Sequence, residues 1–107
     1  MLNVKKLLTK ICKELSIVSF TKGTATTSGK TFILPNNYRG IFWVLTSTAN
    51  YCGEYVLFTT GGGVVGTKTI SAASNVTITT STNNSIKITT SAGTADVFFV
   101  NVQGKAT

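Results

Sequence analysis

The sequence predicts a mainly β protein, an antiparallel β-sandwich of jelly-roll type preceded by a short N-terminal α-helix. Three observations carry this expectation. Beyond residue 19, seven or eight short apolar runs alternate with turn-forming residues, the spacing expected of a sandwich or barrel. No helical periodicity separates those runs, which excludes parallel βαβ units. Before residue 19, apolar residues recur at helical spacing with no Gly or Pro among them. The chain therefore divides into an amphipathic oligomerisation helix, residues 1–18, and a β-sandwich domain, residues 19–107.

The helix is read from residues 2–18, LNVKKLLTKICKELSIV. Val4, Leu8, Ile11, Leu15 and Val18 recur at intervals of 4, 3, 4 and 3, the a/d seam of a coiled coil. Leu7 and Cys12 widen the stripe, and Lys5, Lys6, Lys10, Lys13 and Glu14 occupy the opposite face. A lone helix of this length is marginal in water, so the stripe needs a partner. Three partners are open: the chain's own β domain, the same helix of neighbouring subunits, or an anionic membrane surface. The wide stripe suits a trimer, and self-association as a homotrimer is expected ahead of membrane binding.

The β runs follow in order. Gly23 and the TATTSG stretch read as loop or edge strand. Thr31 to Leu34 reads as a strand stopped by Pro35, Asn36 and Asn37, all turn formers. GIFWVLTST (40–48) and EYVLFTT (54–60) are strands joined by a turn, and Gly61, Gly62, Gly63 and Gly66 make a mobile hairpin loop. Thr67 to Ala72 is a short strand. NVTITTST (75–82) and SIKITTS (85–91) alternate apolar with Thr-rich positions about a turn at Asn83 and Asn84, as a sheet half in water requires. ADVFFVNVQ (95–103) closes the domain. The runs IFWVL, YVLF and VFFV are apolar on both faces. A domain this small has little of its own to cover the second face, which leaves the helix or a neighbouring subunit.

Composition argues against catalysis. The 107 residues hold no His, two Cys and three acidic residues. Without His, neither an ordinary zinc site nor Ser-His or Cys-His activation is available. No cofactor motif is present: GGGVVG lacks the Lys and Ser/Thr of a phosphate loop. Glu54 and Asp96 head their strands and read as solvated strand-end charges rather than a carboxylate pair. Cys12 and Cys52 read as free thiols in unlike settings. The net charge of +7 is spread without the basic stripe and interleaved aromatics of a nucleic-acid footprint, so no nucleic acid is expected. Lys interrupts every apolar stretch at the N-terminus, so no signal peptide is read, and no run reaches the length of a membrane span.

Binding remains. Loops carry most binding functions, and two segments combine aromatics with amides: NNYRG, with Asn36, Asn37, Tyr38 and Arg39, and NYCGEY, with Asn50, Tyr51 and Tyr55. Rings at these positions could stack on a sugar while the amides and Arg39 supply hydrogen bonds. Trp43, in the middle of IFWVL, reads as core.

The opening MLNVKKLLTKI, the Thr/Ser/Gly-rich β domain behind it, and the run from Leu34-Pro35 through Arg39-Gly40 into the apolar Ile41–Leu45 resemble small structural proteins of tailed bacteriophages. They are similar to tail-fibre, receptor-binding and head-fibre components. The resemblance covers nearly the whole chain and rests on composition and order. It implies a homotrimeric virion component with an N-terminal helical bundle and a β-sandwich head, assembled in the bacterial host cytoplasm with other virion proteins. A host cell-surface glycan is the ligand it suggests. A capsid-decorating protein and a monomeric carbohydrate-binding adhesion module are the alternatives.

Overall fold

The computed structural model describes residues 4–6 and 18–102. Residues 4–6 are helical, and the seam residues Leu8, Ile11 and Leu15 lie outside the described residues. Eight strands follow: β1 (Val18–Ala25), β2 (Lys30–Ile33), β3 (Arg39–Leu45), β4 (Gly53–Thr59), β5 (Val65–Ser71), β6 (Val76–Thr80), β7 (Ser85–Thr90) and β8 (Ala95–Val102). They form two antiparallel sheets, one of five strands in the order β1-β8-β3-β4-β5 and one of three in the order β2-β7-β6. The fold is a β-sandwich, as the alternating runs predict.

An eight-stranded jelly roll folds a long hairpin over itself, so its first strand pairs with its last and its second with its seventh. Both pairings are present here, β1 with β8 and β2 with β7. The middle of the chain departs from that scheme. β3, β4 and β5 run on as a meander within the large sheet, and β6 makes a hairpin with β7.

The core forms between the sheets. Phe42 and Val44 of β3, Leu57 of β4, Val97 of β8, and Ile86 and Ile88 of β7 are fully buried. Phe42 stacks on Tyr55 at 4.8 Å, and Phe32 of the small sheet meets Phe99 of the large one at 4.8 Å. Dispersion across such ring pairs adds to the area they remove from water. The small sheet keeps the predicted alternation. Ile86 and Ile88 point inward, while Lys87, Thr77 and Thr79 face solvent.

Two elements differ from the sequence reading. Val18, taken as the last seam residue, opens β1 opposite Val102 and belongs to the sheet. VSFTKGTA has few apolar residues and a central Gly, so its periodicity is weak. It forms a strand because β8 offers it a complete ladder. The GGGVVG segment is a closed turn rather than a mobile loop. Thr60 N–H donates to Val64 O at 3.0 Å, Gly63 N–H to Thr60 O at 3.2 Å, and Asn84 N–H to Gly63 O at 2.9 Å. Its last two residues, Val65 and Gly66, already belong to β5.

Candidate functional site: an apolar sheet face and two loop ends

Strand direction sorts the loops into two groups. One end of the sandwich holds the start of β1, the end of β8, and the β2–β3, β4–β5 and β6–β7 turns. The other end holds the β1–β2, β3–β4, β5–β6 and β7–β8 turns. Asn36, Asn37, Tyr38 and Arg39 lie at the first end, Asn50 and Tyr51 at the second. The six steps of β3 between Arg39 and Leu45 hold them about 20 Å apart. The two predicted binding segments therefore form two separate groups.

The first group is built into the fold. Asn37 turns the chain at φ 59°. Tyr38 is only 3% exposed. Its N–H donates to Thr59 Oγ1 at 2.8 Å and its hydroxyl to Ile41 O at 3.1 Å. Thr59 Oγ1 in turn donates to Pro35 O at 2.6 Å. Arg39 Nη1 donates to the carbonyls of Tyr38 at 2.8 Å and Thr59 at 2.6 Å. Asn84 Nδ2 donates to Asn36 Oδ1 at 2.7 Å. Burial pushes the Tyr38 phenol up to about 12, against a lowering influence of the Val100 backbone. Most of these groups spend their hydrogen bonds on holding the turn. A cleft of about 220 Å³ opens beside them, walled by Phe32, Leu34, Phe99 and Tyr38 with Ser19 and Thr21 at its rim.

The second group is presented to solvent. Asn50 and Tyr51 sit on a 3₁₀ turn, Ala49–Tyr51, and both are exposed. The Asn50 backbone carbonyl accepts from Ser74 N–H at 3.2 Å and Ser74 Oγ at 3.0 Å, which leaves its side chain out of that link. Cys52 is a free thiol; its sulfur accepts from Thr46 N–H at 3.4 Å. At the same end Leu45, Thr46, Ser47, Thr94 and Asp96 line a mostly polar hollow of about 300 Å³. Tyr55 does not belong to this surface. It is buried, and its hydroxyl accepts from Ala73 N–H at 2.9 Å.

The largest feature is the outer face of the five-stranded sheet. Its register places residues in cross-strand rows. One row runs Phe20–Val100–Ile41–Val56–Lys68, and the next runs Lys22–Phe98–Trp43–Glu54. Phe58 lies beyond Val56 on β4. Trp43, expected in the core, is half-buried on this face. Its Nε1 donates to Glu54 Oε2 at 3.1 Å, and its ring lies 6.2 Å from Phe98, itself 6.3 Å from Phe20. Phe20 is 61% and Phe58 40% exposed. Lys22 and Asp96 approach to 4.0 Å at the margin. Ile41, Trp43, Val56 and Phe98 are half-buried on this face and Val100 is buried, while Phe20 and Phe58 stand out from it. Parity explains it: β3, β4 and β8 carry apolar residues at successive positions, so filling the core with one set leaves the other set facing out.

Among the described residues there is no cluster of three or more His, Cys, Asp or Glu side chains that could hold a metal. No described helix is long and apolar enough to cross a membrane. The chain matches no protein-family model, no curated protein and no solved structure.

Proposed function

We propose that this chain is a structural component of a bacteriophage particle, a homotrimeric tail-fibre, receptor-binding or related accessory virion protein assembled in the host cytoplasm with other virion proteins. The observation that carries the assembling role is the apolar outer face of the five-stranded sheet. The largest apolar patch on a soluble protein is often functional, and patches beyond a few hundred Å² mark interaction sites. The a/d spacing of Val4, Leu8, Ile11 and Leu15 supports the same role from the sequence side. Val4, the seam residue that is described, is 71% exposed. The phage assignment itself rests on the sequence resemblance.

The polarity of the domain assigns the ends. The N-terminal segment leaves at Val18, beside Val102, so the end with Asn50, Tyr51 and the polar hollow points away from a helical bundle. Contact with a host glycan belongs to that far end.

Light scattering on the purified chain at two concentrations tests the assembly. A concentration-independent trimer is expected, and a Leu8→Asp, Leu15→Asp double variant should fall to monomer. A monomeric unsubstituted chain overturns the reading and moves the adhesion module forward.

A further inference from the structure

We propose that the outer face of the five-stranded sheet is a subunit interface, occupied by a second copy of this chain; this rests on the self-assembling role proposed above and names the surface that performs it.

The composition of the two outer faces differs within one molecule. The small sheet turns Thr77, Thr79 and Lys87 to water. The large sheet turns out Phe20, Trp43, Phe58 and Phe98 instead. The outward rows through Phe20, Trp43 and Phe98 carry no β-branched hydroxyl, and Thr24 stands at the end of the face beside Asp96. A face of large apolar side chains loses free energy to hydration until something dry covers it.

One row of the face carries opposite charges at its two ends, while Arg39 and Lys68 lie outside that row on the same face. Lys22 stands at the β1 side of the Lys22–Phe98–Trp43–Glu54 row and Glu54 at the β4 side. The row is cationic at one end, anionic at the other and aromatic between. A second copy laid head to tail brings Lys22 of one chain to Glu54 of the next while aromatic groups meet in the middle. A cyclic assembly repeats that contact at every interface. Lys22 also lies near Asp96, but both are exposed, and such a surface pair contributes at most about 1 kcal/mol. It leaves the Lys22 ammonium available to a neighbour.

Area sets how much the face contributes by itself. Five strands about 4.8 Å apart and about 20 Å long present roughly 400 Å². A stable complex buries about 800 Å² per partner. The face supplies about half of that area.

The chain has one tryptophan, and it lies on this face, so intrinsic fluorescence reads the interface directly. The experiment compares the unsubstituted chain, Phe20→Lys, Phe58→Lys and the Leu8→Asp, Leu15→Asp variant by light scattering and by acrylamide quenching of Trp43. Both face substitutions are at exposed positions, and circular dichroism checks that the β domain persists. Expected is an assembled chain with Trp43 shielded, and face variants whose mass falls with Trp43 open to quencher. A trimer whose mass and quenching ignore both face substitutions overturns this proposal and leaves the helical assembly standing. So does a trimer in which Trp43 of the unsubstituted chain is already fully quenchable, a result that needs no variant to fold. A monomeric chain overturns the assembly reading itself. If in that monomer Trp43 is shielded and only Leu8→Asp, Leu15→Asp uncovers it, the chain's own helix covers the face.

Discussion

Tyr38 shows how one side chain is diverted from binding to structure. Its ring closes the core beneath the β2–β3 turn and its hydroxyl is held by Ile41 O. Burial disfavours the phenolate, which raises the folded pKa above that of the unfolded chain, from 10.0 to about 12. A raised value means that the native state keeps its proton longer. The stabilisation is therefore complete below pH 10 and is lost as pH rises through 12. At about 1.4 kcal/mol per pH unit, some 2 to 3 kcal/mol is at stake. Chemical denaturation as a function of pH should show a fall between pH 10 and 12 that Tyr38→Phe flattens. A Tyr38→Phe variant with an unchanged alkaline limb would place the titration elsewhere. Gly40 is constrained in another way. A Cβ there would run into the Val100 carbonyl oxygen, so the close approach of β3 to β8 needs glycine.

At the scale of elements, the β2–β3 turn is held through a neighbour distant in sequence. Thr59, at the end of β4, is fully buried, accepts from Tyr38 N–H and donates to Pro35 O. Thr59→Val keeps shape but leaves both backbone groups without that partner, at a cost of about 2 kcal/mol. Urea denaturation measures it, and Thr77→Val on the solvent face of the small sheet serves as the control, with a change under about 0.5 kcal/mol. The hairpins were largely legible in the sequence. Asn84, at φ 61°, and Gly93, at φ 68°, occupy the positive-φ positions that their residue types favour. β1 was legible only at its end, where Gly23 and the residues after it read as loop or edge strand; its first half, Val18 to Lys22, has too little periodicity to announce itself. The tie between the GGGVVG turn and the β6–β7 hairpin was not legible either, since it is a bond from Asn84, distant in sequence.

For the whole molecule, the separation of the two loop ends has functional weight. The start of β1, the end of β8 and the NNYR turn share one end, and the exposed Asn50–Tyr51 turn and the polar hollow share the other. In the assembly proposed above, the second end is the one offered to a distant ligand. The double variant Asn50→Ala, Tyr51→Ala should keep the assembled mass and stay within about 0.5 kcal/mol of the parent stability, because the bond to Ser74 uses the Asn50 backbone. Co-sedimentation with host cell-wall polysaccharide should be lost in the same variant. Retained binding would put the glycan contact outside this turn.

Taken alone, the sequence determined the number and kind of most elements. Period-2 alternation and Gly and Asn at the turns are local signals, carried by neighbours along the chain. Only the tertiary structure decided which strands share a sheet, that Tyr55 turns inward while Trp43 turns outward, and that the two candidate binding segments lie at opposite ends. These depend on pairings between residues far apart, such as Trp43 with Phe98 and Val18 with Val102. For strands apolar at every position, periodicity does not say which face is inside. The three-stranded sheet settles that question by covering one side of the five-stranded sheet.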